Sequence, residues 1–102
     1  MNFTDIKIGS RASAIYPTEE AGLYVRELAD AEFETFVDGV DAADSLASKA
    51  LVLFERVLCD DQGESFKNAS GGEITLDDCK AMGTKQKQDL IDAGMNVFIP
   101  KR

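Results

Sequence analysis

The stretch from Asp44 to Cys59 is the most apolar in the chain, and no other segment limits the fold as strongly. Read at 3.6 residues per turn, Leu46, Ala50, Leu53, Phe54, Val57 and Leu58 form one stripe, with Ser48, Lys49, Glu55 and Arg56 opposite. Read at a period of two, Ala50-Leu51-Val52-Leu53-Phe54 is a buried strand run that the Glu55-Arg56 pair interrupts. The helical period fits better. Val52, the β-formers around it and the glycine turn that follows instead suit a hairpin strand.

Other segments carry clearer local signals. Asn2–Ile8 alternates through Phe3, Ile6 and Ile8 and predicts a short edge strand. Residues 9–20 read as a loop, because Gly9, Ser10, Ser13, Pro17 and Thr18 are turn formers. Leu23, Tyr24 and Val25 favour a strand within 22–28. Phe33, Phe36, Val37 and Val40 recur at i, i+3, i+4 and i+7, which puts them on one face of a helix. Glu32, Glu34, Thr35 and Asp38 fall between them and face water. Asp30 is placed to cap this helix and Gly39 to end it, although Val40 continues the pattern.

Asp60-Asp61-Gln62-Gly63 reads as a turn with positive φ at Gly63, after which Phe66 re-enters the core. Asn68–Gly72 reads as a flexible loop. Thr75 caps a short helix over 76–82, with Asp78 at the capping-box position; Gly83 ends it and Thr84 caps the next. That last helix holds Leu90 and Ile91 on one face. It either stops at Gly94 or runs through it to Val97 and Phe98. The pattern predicts a small, helix-rich α+β domain with a short antiparallel sheet or hairpin. One domain spans 1–102, with an N-terminal strand and loop in 1–21, a core in 22–98 and a tail in 99–102.

The net charge of −8 disfavours nucleic acid and anionic membranes as partners, because both are negatively charged. Residues 1–64 hold fourteen acidic and five basic side chains; residues 65–102 hold five and six. This asymmetry serves solubility, or presents an acidic face to a basic partner. The chain has no histidine, so the commonest general base is missing, and it has no phosphate-binding glycine loop. Cys59 and Cys79 are too few for a zinc site. With Gly63 set at position 6 of a calcium loop, Leu58 falls at position 1 and Ala69 at position 12, and neither ligates. Cys79 lies in the first turn of a helix whose dipole favours a thiolate, but Asp77 and Asp78 oppose it. No signal-peptide core and no membrane-length apolar run is present, which points to a cytoplasmic protein with reduced thiols. The expectation is a non-enzymatic binding protein without cofactor or metal. Phe98 and Ile99, before Pro100-Lys101-Arg102, are either an exposed apolar contact tip or fold back onto the core.

The order of segments resembles a known family. Leu23-Tyr24-Val25-Arg26-Glu27-Leu28 followed by Ala31-Glu32-Phe33-Glu34-Thr35-Phe36 is similar to the strand-then-helix opening of tail assembly chaperones of long-tailed (siphovirus-type, lambda-like) bacteriophages. Ala50-Leu51-Val52-Leu53 leading to Leu58-Cys59-Asp60-Asp61-Gln62-Gly63 and Phe66 resembles the family's central segment. Asp77 to Gly83 followed by Lys85-Gln86-Lys87-Gln88-Asp89-Leu90 resembles its closing pair of short helices. The likeness spans residues 22–92 and rests on order and spacing, not on a catalytic signature. The chain departs from the pattern at Ala29, where a capping Ser or Thr is usual, and in its short apolar tail.

The resemblance implies a small cytosolic factor that binds the tape-measure protein before the tail tube polymerises. It further implies contact with the tail tube protein in an extended form; self-association along the tape measure would add avidity. On this reading the contact elements are the 33–40 helix and the 90–99 stretch, with Phe33, Phe36, Val37, Val40, Leu90, Ile91, Phe98 and Ile99 as contact residues. The alternatives are an acidic antagonist that occupies a basic site, and a structural head–tail or tail-terminator subunit. An enzyme is the weakest alternative.

Overall fold

A computed structural model of the chain describes residues 14–99. Its elements run β1 (Ile15–Pro17), β2 (Tyr24–Arg26), α1 (Asp30–Ala42), α2 (Leu46–Arg56), β3 (Leu58–Cys59), α3 (Leu76–Ala81) and α4 (Thr84–Phe98). Among the described residues these are four helices and one antiparallel sheet of order β1-β2-β3, a small α+β domain. The strand expected over Asn2–Ile8, the start of the 9–20 loop and the tail beyond Ile99 lie outside the described residues.

The apolar segment divides between its two readings. Ser45 caps α2, its hydroxyl accepting the Ser48 N–H at 3.1 Å, and the helix holds to Arg56. Val57 then leaves helical geometry at φ −129°, ψ −34°, and Leu58–Cys59 pairs with β2. Ala47, Ala50 and Leu53 are the buried face of α2, while Leu46 and Phe54 pack at its margins. Lys49 does not simply face water. Its Nζ donates to the Val40 carbonyl at 2.8 Å, placing a cation at the C-terminal end of α1.

β1 corrects the expected loop. Ile15 and Tyr16 are β-formers hidden among turn residues, and they become a strand by pairing Ile15 with Arg26 and Tyr16 with Val25. Pro17 ends this edge strand, where its missing N–H removes no interior ladder bond. β2 sits at the centre of the sheet, and Val25 is fully buried.

α1 runs past Gly39 to Ala42. A Cβ on Gly39 would stand 3.3 Å from Val52 Cγ1, so this glycine marks a close approach of α1 to α2 and not a helix end. Ala29, in extended geometry, is the N-cap; Asp30 is the first helical residue and does not cap. Glu32 Oε1 accepts the Ala29 N–H at 3.4 Å in the manner of a capping box. α3 is capped as the sequence predicts. Thr75 Oγ1 accepts the Asp78 N–H at 3.2 Å and Asp78 Oδ2 accepts the Thr75 N–H at 2.8 Å. α4 starts after Gly83, which is its N-cap in place of Thr84, and runs unbroken through Gly94.

The core forms around α2, which packs against α1, α3, α4 and β3. Phe36, Leu53, Leu58, Val25 and Val57 are fully buried, together with Cys59 and Cys79. Each large side chain so buried contributes about 1.5–3 kcal/mol. No helix among the described residues is long and apolar enough to cross a membrane.

Candidate functional site

The eight candidate contact residues separate into two groups. Phe36, Val40, Leu90 and Ile91 are buried in the core and build the helices' inner faces, with Leu90 also at the wall of an open groove. Their helical spacing put them on one face, but the face is the inward one. Phe33, Val37 and Phe98 are partly buried at the core's margin, and Ile99 is 52% exposed. Phe98 folds back in part, which settles its two readings in favour of both. Its ring contacts Phe33 at 5.6 Å and Phe36 at 5.8 Å between centroids, while Ile99 beside it stays open. The start of α1 and the end of α4, far apart in sequence, thus meet at one face.

Two clefts flank this contact. Phe33 and Val37 line one of about 250 Å³ together with Glu34 and Asp38. Phe98 and Val97 line another of about 280 Å³ together with Tyr16 and Glu27. The Tyr16 hydroxyl donates to the Glu27 carboxylate, and that bond holds the phenol above its usual pKa. Asn96 Nδ2 donates to Glu19 Oε1 at 3.3 Å and ties the end of α4 to the β1–β2 turn.

The outer flank of α1 is acidic throughout. Asp30, Glu34 and Asp38 stand at i, i+4 and i+8, with Asp41 one turn further, so the four lie in one row. All four are exposed, and none has a hydrogen-bond or ion-pair partner among the described residues. α1 has no basic residue in its last turn, and Lys49 from α2 is the cation that approaches its end. Like charges at this spacing destabilise a helix by about 0.2–0.5 kcal/mol per pair, and carboxylates near the C-terminus oppose the dipole. Asp30, in the first turn, suits the dipole, but folding alone does not account for Glu34, Asp38 and Asp41.

A second surface escaped the sequence reading. Leu23, Phe54, Phe66, Ile74, Met82 and Leu90 line an open groove of about 630 Å³, rimmed by Glu20, Lys67, Lys85 and Asp89. Its parts come from α2, α4 and the loop residues beside β2 and α3, so no single segment carries a signal for it. Phe54 and Phe66 meet edge to face at 6.2 Å. Lys85 and Asp89 pair at 2.7 Å on the rim, exposed enough that the pair adds little.

The remaining sequence candidates have structural duties. Asp60 Oδ1 accepts the Gln62 and Glu64 N–H groups at 2.8 and 3.0 Å, and Gly63 adopts φ +78° as its turn requires. That carboxylate closes a turn. The Asn68–Gly72 loop, expected to be flexible, is tied down by Asn68. Its Oδ1 accepts the N–H groups of Ser70 and Gly72, and its Nδ2 donates to the Glu73 carbonyl and to Asp78. Cys59 and Cys79 are free and buried. Burial pushes both thiols up; Asp60 adds to this at Cys59 and Asp78 at Cys79, against Arg26 and Lys87 respectively. A thiol held protonated is a poor nucleophile. Among the described residues no group of three acidic or cysteine side chains could hold a metal ion.

Fold and surface together define a small α+β domain that offers an aromatic face with an acidic flank and a separate apolar groove. The chain matches no protein-family model, no curated protein and no solved structure.

Proposed function

We propose that this chain is a protein-binding factor of the phage tail assembly chaperone kind, which holds a tape-measure protein in solution until the tail tube polymerises. The segment order from residue 22 to 92 suggests the family. One structural observation supports the reading: the two stretches singled out as contact elements meet through Phe33 and Phe98, next to half-buried Val37 and exposed Ile99. A long helical protein exposes apolar stripes before assembly. An apolar face on an acidic domain can cover such a stripe and keep the complex soluble.

The test is co-expression with the tape-measure protein encoded beside this gene, followed by pull-down at physiological and high salt. The expected result is soluble co-purification that survives high salt. It should be lost when Val37→Gln and Ile99→Glu are combined, and kept when Met82→Gln alters the groove. A tape-measure protein that remains insoluble and unbound overturns the reading. The exposed carboxylate row on α1 supports a second reading, an acidic antagonist of a basic site. Capture that vanishes at moderate salt and ignores Val37 and Ile99 would favour it.

A further inference from the structure

We propose that the α1–α4 face takes an amphipathic helix of another protein whose apolar stripe is flanked by lysines and arginines. The inference deepens the reading above and rests on its premise that the chain works by binding protein.

Three observations select that occupant. The first is the apolar seat: Phe33 and Phe98 are in ring contact at 5.6 Å, and Ile99 beside them is 52% exposed. The second is that both clefts at this seat join apolar walls to carboxylates. Glu34 and Asp38 stand beside Phe33 and Val37, and Glu27 stands beside Phe98. A stripe that enters these clefts brings its own flanks against negative charge. The third is the row Asp30, Glu34, Asp38 and Asp41, exposed and unpaired among the described residues at a spacing that weakens an isolated helix. A partner with basic flanks turns that repulsion into attraction and steers its approach. The row steps along α1 at about 6 Å, so a helix laid alongside it can set one basic side chain per turn against each carboxylate.

A second copy of the chain fits poorly. A two-fold interface with its axis at α1 would set the carboxylate row against its own copy. α1 carries no basic residue to relieve this.

The experiment uses two labelled helical peptides with the same leucine stripe, one flanked by lysines and one by glutamates. Each is titrated with the full chain by fluorescence anisotropy at low and at physiological salt. The lysine-flanked peptide should bind about tenfold or more tightly, and its advantage should shrink as salt screens it over about 10 Å. The four-fold variant Asp30→Asn, Glu34→Gln, Asp38→Asn and Asp41→Asn should lose the preference while melting at a higher temperature than the parent, which shows that it is folded. Ile99→Glu should weaken binding of both peptides.

Equal affinity for the two peptides, binding of neither, or a preference that persists in the four-fold variant would overturn the proposal. So would a dimer by light scattering that Ile99→Glu splits into monomers. Failure here and failure of the tape-measure reading are separable. A four-fold variant that still captures the tape-measure protein removes this surface and leaves that reading standing. A chain that binds the lysine-flanked peptide but not the tape-measure protein does the reverse.

Discussion

A carboxylate that accepts several hydrogen bonds is held in its charged form, and Asp78 shows what that does for a short helix. Its Oδ2 accepts from the Thr75 N–H at 2.8 Å, the Thr75 hydroxyl at 3.0 Å and the Asn68 amide at 3.1 Å. The Thr75 backbone bond is the largest cause of its lowered pKa, followed by the Asn68 and Thr75 side chains. A group whose pKa is lower folded than unfolded stabilises the fold above its ordinary value of about 3.9. That contribution is lost as the pH falls from there through the depressed value. Asp78→Asn should therefore lower the melting temperature at pH 7, with the gap to the parent closing as the pH falls from about 3.9 through the depressed value. Thermal melts across that range check it; a gap that stays constant with pH would mean the carboxylate's charge is irrelevant. This cap was legible in the sequence because both partners lie within four residues. Its link to Asn68, ten positions away, was not.

At the scale of elements, two glycines that look like helix stops are contact points. Gly39 lets α1 approach Val52, and Gly94 lets α4 approach Leu53. A Cβ on Gly94 would stand 2.8 Å from Leu53 Cδ2, and Leu53 is fully buried with little room to move. Gly94→Ala gains about 1 kcal/mol of helix propensity but overpacks the crossing by about 1–3 kcal/mol. The expected net is a loss of stability or near balance, in contrast to the gain of an alanine at an exposed helix glycine, and urea unfolding measures it. A gain of the full propensity would show that Leu53 moves aside freely. α1 and α4 were readable from apolar spacing of about 3.6 residues, whereas the α2 segment fitted that period better but left a strand open. The inward direction of the apolar faces was not readable, so Phe36, Val40, Leu90 and Ile91 stood as contact residues until burial placed them in the core.

For the whole molecule, charge sets a condition on stability. The net charge of −8 sits on a chain of 102 residues, and four of the carboxylates form one row on α1. Self-repulsion of this kind destabilises a compact state and is screened by salt. The melting temperature should rise as sodium chloride increases from low to physiological concentration. It should rise less in the four-fold α1 variant, which already lacks much of the repulsion. A flat response in the parent would show that the charges are too far apart to matter.

What the sequence determined by itself was local: that 33–40 and the segment after Thr84 are helical, where α3 begins, where Gly63 must turn, and that α1 bears acid on its outer side. Caps, turns and helical periods are decided by residues a few positions apart, so the chain states them directly. The tertiary structure decided what depends on distant partners. Ile15–Pro17 and Leu58–Cys59 are strands only because β2 lies between them, and residues 44–59 divide at Val57 because the strand partner begins there. The groove beside Phe54 and Phe66, and the meeting of Phe33 with Phe98, likewise exist only after the core has closed. Strands this short have too few local interactions to hold their shape alone, and a surface built from several elements has no segment of its own to carry a signal.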